Sequence, residues 1–190
     1  MVLPAIAAVM LGLTAWRMAN PRQSVDPENA PRLRRPAPSF QLYDQGGDGV
    51  KPRVVNLDSY LHRHRIVLAF YDGQKGPEDD PLLRELRRFH DALENENIVV
   101  FGISTALPQE NRRNSVTQFP FKLLSDVTAE AKNSVHRTWG RLIEAPTIDQ
   151  PSGTKPGVFL IDRKGLVAWD DDHPHPDPDP KTFVARLLQQ

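Results

Sequence analysis

The amino-acid sequence predicts an α/β fold, in which a central mixed sheet is flanked by helices and preceded by a hydrophobic helix at the N-terminus. Three segments, 66–71, 98–104 and 157–162, are almost continuously apolar, as strands buried on both faces of a sheet are. Between and after these segments, apolar residues recur at helical spacing. Alternation of buried strands with amphipathic helices is typical of α/β domains.

The first half of the predicted domain supplies a hairpin, a central strand and a helix. Residues 39–44 alternate apolar and polar side chains, which favours an outer strand. Residues 45–49 are typical of a turn, and residues 53–57 are the predicted hairpin partner of this strand. The central strand is 66–71. Asp80 is predicted to be the N-cap of the next helix, with Pro81 in its first turn. The apolar face of this helix consists of Leu82, Leu83, Leu86, Phe89 and Leu93.

The second half of the domain continues this alternation and ends on a helix. Beyond the buried strand 98–104, the predicted elements are a short helix at 110–118, a strand and turn at 119–126, a helix at 128–139, a hairpin at 157–169 and a final helix at 181–188. Gly140 is expected to close the helix that precedes it, because glycine adopts the left-handed conformation common after helix ends.

The composition limits the functions that are open to the chain. Its 190 residues, 39% of them hydrophobic, suit one domain of about 150 residues plus an extension. The 24 basic residues balance the 24 acidic ones, which argues against nucleic acid as a partner because such binding needs a dense basic surface. The absence of cysteine excludes disulfides, iron–sulfur clusters, cysteine-based zinc sites and thiol catalysis.

Residues 1–19 are predicted to be a single-pass membrane anchor. Residues 1–16 carry no charged side chain, and a helix over 1–19 would be about 28 Å long, just enough for a bilayer core. A cleaved signal peptide is the main alternative, and a peripheral segment or a misplaced start codon is another. The arginines that follow the span favour a cytoplasmic domain, with an extracytoplasmic one as the alternative.

A linker and one globular domain follow the anchor. Residues 20–35 are rich in proline and contain no aromatic residue, which is typical of an extended, semi-rigid tether. The domain is therefore predicted at residues 36–190, held to a membrane through 1–19.

Four short motifs, in order along this domain, resemble those of one protein family. They are Pro38-x-Phe40, Phe70-Tyr71 with Pro77, FGIS at 101–104 with FPFKLLSD at 119–126, and VFLIDRKGLV at 158–167. In this order and spacing they resemble the peroxiredoxins, the alkyl hydroperoxide reductase/thiol-specific antioxidant (redoxin) family. The resemblance implies a thioredoxin-like, peroxiredoxin-type fold and, by domain match alone, antioxidant or oxidoreductase activity.

The resemblance also assigns the family's active-site positions, and this chain has other residues there. The reactive cysteine of the family matches Asp79, the threonine that holds the peroxide matches Gly76, and the activating arginine matches Pro156. A carboxylate cannot replace the cysteine, since only a thiolate is nucleophilic enough to reduce a peroxide. The resemblance therefore implies a cysteine-less, divergent member with no catalytic residue and no cofactor.

The acidic residues around this position have a structural explanation. Glu78, Asp79 and Asp80 precede a predicted helix, where carboxylates stabilise the unpaired N–H groups and the positive end of the helix dipole. Mimicry of an oxidised cysteine by Asp79, for recognition by a partner, is the alternative.

The segment 170–180 is the main candidate for a different chemistry. His173, His175 and Asp171 offer imidazole and carboxylate groups, which divalent metals accept as ligands. The intervening prolines keep the chain extended, so a solvated acidic loop is expected. An enzyme of another type that uses 170–179 with a divalent metal is the alternative. The leading expectation remains a membrane-tethered, catalytically inactive redoxin-like protein that binds or scaffolds an unknown protein partner.

Overall fold

The computed structural model describes residues 35–47, 49–113, 119–128, 132–142, 153–170 and 179–189. Seven strands occur there: β1 Gln41–Asp44, β2 Val54–Asn56, β3 Arg65–Phe70, β4 Ile98–Ser104, β5 Lys122–Ser125, β6 Gly157–Ile161 and β7 Val167–Asp170. They form one sheet in the order β2-β1-β5-β4-β3-β6-β7. β3, β4 and β5 are parallel, whereas the other neighbours are antiparallel, which confirms the predicted mixed sheet.

The parallel strands lie at the centre because their residues are apolar on both faces. β3 is paired along its length on both sides, so that Leu68 lies opposite Phe101 of β4 and Phe159 of β6. All three of these side chains are buried. The carboxyl ends of β3, β4 and β5 therefore meet at one edge of the sheet, which is where α/β proteins position functional loops.

Five α-helices occur in the described residues: α1 Pro81–Arg88, α2 His90–Asn95, α3 Pro108–Arg113, α4 Val135–Thr138 and α5 Pro180–Leu188. A 3₁₀ turn, Leu57–Ser59, follows β2. Helices α1, α2 and α5 bury their apolar residues against one face of the sheet. The other face packs against α4 and the segment around Phe40. The sheet thus has a core on each side.

Gly102 in β4 sets the distance between the sheet and the first helical layer. A Cβ atom at this position would lie 2.8 Å from Leu123 Cδ2 and 3.3 Å from Tyr71 Cε1. Leu83 of α1 packs within 3.6 Å of the same point. A larger residue would therefore displace buried side chains.

The predicted start of the first helix is confirmed, but its course is not that of a single helix. The Oδ1 atom of Asp80 accepts a hydrogen bond from the N–H of Leu83 at 2.9 Å, and Pro81 begins α1. Phe89, with φ −105° and ψ 17°, separates α1 from α2. The predicted apolar face continues across this break, since Leu83, Leu86 and Leu93 are all buried.

Two other helices differ from the sequence-based expectation. The helix predicted at 128–139 was too long, because α4 begins only after Ser134, whose backbone is extended and whose Oγ accepts a hydrogen bond from the N–H of Arg137. The helix predicted at 110–118 begins earlier, at Pro108, where Glu110 Oε2 accepts the N–H of Leu107 at 2.8 Å in a capping-box contact. Residues 114–118 lie outside the described residues.

The expectations for the N-terminal region fall outside the described part of the chain. The hydrophobic helix over 1–19 and the linker up to residue 34 therefore remain predictions. No helix within the described ranges combines the length and the apolar character needed to span a bilayer.

Candidate functional site

The loop between β3 and α1 contains Gly76 and Asp79, two of the positions that the resemblance assigns to the active site, and it lies at the carboxyl edge of the parallel strands. Tyr71 extends β3 by one residue, with its N–H donating to Ile103 O at 3.0 Å. Asp72 then begins a turn in which its Oδ1 accepts the N–H of Gln74 at 2.9 Å. The fold thus presents residues 72–80 as a loop ahead of a helix, as the motifs predict.

Gly76, at the threonine position, has a backbone conformation that excludes threonine without strain. Its φ angle is +87°, in the region that L residues rarely adopt, and β-branched residues least of all. The N–H of Gly76 donates to Asp72 O at 3.1 Å and closes the turn. Gly76 and Pro77 are both buried. The change at this position therefore affects the loop backbone as well as the side chain.

Asp79, at the cysteine position, is exposed and lies outside the helix. The N-cap is the next residue, Asp80, so Asp79 is one residue short of the first turn. Burial raises the pKa of Asp80, although its hydrogen bond from the N–H of Leu83 opposes the shift. The capping expectation is thus confirmed for Asp80.

An ion pair fixes this loop to the helix that follows it. Both carboxylate oxygens of Glu78 accept hydrogen bonds from Arg87 Nη1, at 2.8 and 2.9 Å. The guanidinium of Arg87 also lies 4.9 Å from the centre of the Phe119 ring. Both charged side chains are mostly buried, with 22% and 30% of their surface exposed. These contacts link the loop to α1 and to the segment around Phe119.

Pro156, at the arginine position, supplies only a backbone carbonyl. Its oxygen accepts a hydrogen bond from Arg141 Nη1 at 3.3 Å. Arg141 is 1% exposed, and its guanidinium lies 4.7 Å from the centre of the Phe159 ring. Phe159 belongs to the core on the face opposite α1, whereas its neighbour Val158 packs on the α1 side. Arg141 therefore does not replace the missing arginine.

A buried polar network lies beneath the loop, and sequence reasoning missed it. The hydroxyls of Tyr71 and Ser104 both donate to Asn111 Oδ1, at 2.7 and 3.0 Å, and Asn111 Nδ2 donates to Ser125 Oγ at 3.0 Å. Burial raises the pKa of Tyr71. A signal was present, because polar residues end three neighbouring apolar strands. Ser104 Oγ also accepts the N–H of Ala106 at 3.3 Å, and the contacts of Asn111 link α3 to the sheet.

A second buried polar pair was also missed. His136 donates its backbone N–H to Asp126 Oδ2 at 2.8 Å, and its ring Nδ1 lies 2.7 Å from the same oxygen. The two side chains are 1% and 3% exposed. The histidine lies inside the helix predicted at 128–139, and nothing in the local pattern marked it.

The proposed metal ligands lie outside the described residues. Asp171, His173 and His175 fall in 171–178, so the structure gives no geometry for them. Asp179, at the end of the same segment, caps α5 by accepting hydrogen bonds from the N–H and the hydroxyl of Thr182 at 3.3 and 3.2 Å. In the part of the chain that is described, no group of three histidine, aspartate or glutamate side chains could hold a metal ion.

Comparison with known structures supports the same fold. The mitochondrial 2-Cys peroxiredoxin of Plasmodium falciparum is similar with a TM-score of 0.63 and 19% identity, over 83% of this chain and 92% of that one. The peroxidoxin BcpB of Mycobacterium tuberculosis is similar with a TM-score of 0.60 and 20% identity, over 82% and 95% of the two chains. The 2-Cys peroxiredoxin of Plasmodium vivax is similar with a TM-score of 0.59 and 19% identity, over 82% of this chain and 94% of that one.

The sequence comparisons agree with the structural ones at the level of the family. No curated protein matches the chain significantly. The model of the AhpC/TSA family matches residues 33–170, which include every strand described above. The chain therefore belongs to the AhpC/TSA family and is a member without cysteine.

Proposed function

We propose that this protein is a redoxin-fold domain without peroxidase activity, which works by binding a protein partner while residues 1–19 hold it at a membrane. The observation that carries the proposal is the absence of cysteine from all 190 residues. Peroxide reduction in this fold class needs a sulfur nucleophile, and the three methionines do not turn over without a dedicated reductase.

The loop geometry supports loss of activity beyond one substitution. Gly76 has a left-handed backbone, Asp79 lies ahead of the helix, and Pro156 is exposed and offers no guanidinium. Each change removes a different contribution: the hydroxyl that would orient a peroxide, the thiolate that would attack it, and the cation that would stabilise both.

A binding role is supported by what the domain retains. The sheet has a core on each side, and the Glu78–Arg87 pair links the loop to α1. A fixed surface loses little conformational entropy when a partner binds. The exposed residues of this loop are Gln74, Lys75 and Asp79.

Peroxide consumption by the full-length protein tests the loss of activity. With hydrogen peroxide or tert-butyl hydroperoxide and dithiothreitol in excess, consumption should equal that of buffer. Thiol-dependent turnover above buffer would contradict the proposal. Equimolar divalent metal retained through dialysis would favour the alternative, an enzyme that uses residues 170–179.

Photo-cross-linking in cells tests the binding role and the surface. A photoreactive side chain at Gln74 should give an adduct to a discrete partner, whereas one at the exposed Asp91 of α2 should not. Equal labelling from both positions, or none from Gln74, would refute recognition through this loop.

Membrane extraction tests the anchor separately. Full-length protein should sediment with membranes and resist carbonate, and a chain that begins at Asn20 should be soluble. Full-length protein in the soluble fraction without detergent would show that the anchor assignment is wrong.

A further inference from the structure

A small cavity of about 160 Å³ lies between β1 and α4, on the face of the sheet opposite α1. Its exposed rim consists of uncharged polar residues: Ser39, Gln41, Thr128, Asn133 and Thr138. Its buried floor includes Asp126 and two aromatic residues, Phe40 and Trp139. No lysine or arginine of the described ranges lines it. The cavity is therefore polar at its entrance and combines one carboxylate with aromatic surface below.

The Asp126 side chain is 3% exposed, and the hydrogen bonds described for it are confined to one of its two oxygens. Its Oδ2 atom accepts both hydrogen bonds from His136, while Oδ1 accepts none from any residue that the structure describes. An ionised carboxylate can only accept, so the Nδ1 atom of His136 carries the proton of this contact. The contacts with His136 occupy Oδ2, so Oδ1 is the carboxylate oxygen that a donor entering the cavity would meet. Burial of a charge is costly unless a cation pairs with it.

We propose that this cavity binds a small organic cation, either a primary ammonium or a guanidinium compound. The Oδ1 atom of Asp126 would accept a hydrogen bond from the cation, and the negative faces of aromatic rings attract positive charge. The hydroxyl and amide groups of the rim can accept the remaining N–H groups. An anionic ligand is disfavoured, because the floor is negative and the described lining includes no lysine or arginine.

The volume limits the size of the ligand. A cavity of about 150 Å³ accommodates benzene, which has six heavy atoms. The space here therefore suits a cation of about five to seven heavy atoms. This site does not depend on the proposed function, because the former active-site loop adjoins α1 on the other face of the sheet.

Titration of the full-length protein with n-butylammonium, followed by ¹H–¹⁵N NMR, tests the proposal. We expect saturable shifts confined to residues around the cavity, with a dissociation constant on the order of 1 mM. n-Butanol, which has the same shape without the charge, should bind at least about tenfold more weakly. Equal affinities for the two compounds, or no saturation by about 20 mM n-butylammonium, would refute a cation site.

Two isosteric substitutions distinguish the site from a general charge effect. Asp126→Asn keeps the acceptor for His136 but removes the charge, and it should weaken n-butylammonium binding at least about tenfold. The matched control is Asp44→Asn, because Asp44 is also a buried aspartate, 7% exposed, but does not line the cavity. An equal loss in both variants would refute the assignment.

A third variant keeps the test valid if Asp126→Asn fails to fold. Thr128→Trp fills the rim from an exposed turn position and leaves Asp126 and His136 in place. It should abolish the shifts caused by n-butylammonium. Unchanged binding would show that the cation lies elsewhere. Displacement of n-butylammonium by sodium at equal concentration would instead assign the cavity to inorganic cations and overturn the proposal.

Discussion

A cysteine placed at Asp79, the position that the resemblance assigns to the reactive residue, tests whether this loop can support thiol chemistry. In Asp79→Cys the new thiol would lie at an exposed residue, one position before the N-cap Asp80 and outside the first turn of α1. We therefore expect an ordinary surface thiol and no peroxidase. A matched control is Arg84→Cys, which places a thiol on the exposed side of the same helix.

The expected pKa of the new thiol follows from the charges around residue 79. A helix N-terminus stabilises an anion by about 0.3–1 kcal/mol within its first turn, which corresponds to at most about 0.7 of a pKa unit. Asp79 lies before that turn, and the neighbouring carboxylates favour the neutral thiol, although Arg87 offsets the charge of Glu78. The two effects oppose each other, so the thiol pKa should stay within about half a unit of its usual value.

The assay is the second-order rate constant with iodoacetamide and with hydrogen peroxide at about pH 7. Both constants should agree within about threefold between the Asp79→Cys and Arg84→Cys proteins, since thiolate fraction governs both reactions. Adding Gly76→Thr should not raise the peroxide rate and should cost about 1–3 kcal/mol of stability, because φ is +87° there. A peroxide rate constant for the Asp79→Cys protein more than about a hundredfold above that of the control would refute the loop argument.

Three further predictions concern the fold. Gly102→Ala should lower the free energy of unfolding by about 1–2 kcal/mol in urea, because its Cβ would lie 2.8 Å from Leu123 Cδ2; no loss would show that the layers can separate freely. Tyr71→Phe should lower the free energy of unfolding by about 1 kcal/mol in the same assay, since it removes the 2.7 Å hydrogen bond to Asn111. An unchanged free energy would show that this hydrogen bond does not stabilise the fold. Burial raises the pKa of the Asp44 carboxyl, but its hydrogen bonds and Lys122 outweigh burial and hold the pKa below its usual value. The ionised carboxylate therefore stabilises the folded protein above the unfolded-state pKa, and this stabilisation is lost as the pH falls through the folded-state pKa. The stability difference between wild type and Asp44→Asn should therefore shrink as the pH falls from about 6 to about 2, and a constant difference would contradict this sign.

The chain keeps the fold of the AhpC/TSA family but has no cysteine. The fold depends on apolar strands and helix faces, which tolerate substitution as long as volume and pattern are kept. The chemistry depends on a few polar groups held at fixed positions. A chain can therefore lack cysteine and still have a hydrophobic core on each side of the sheet.

The sequence by itself determined the class of fold, the main strands and the absence of thiol chemistry. Strand β4 was predicted to its last residue and α5 to within one, since burial on both faces or along one helix face imposes a local pattern. Asp80 was identified as an N-cap for the same reason, because a cap is a contact between residues three apart.

Only the tertiary structure decided which polar residues meet and how the substituted loop is shaped. Asp126, just after β5, meets His136 in α4, and Tyr71 meets Asn111 across 40 positions of the chain. Such pairings depend on how helices pack against the sheet, which leaves no periodic mark in the sequence. The positive φ of Gly76 is likewise a consequence of the turn to Asp72, so the residue type permitted it but the fold required it.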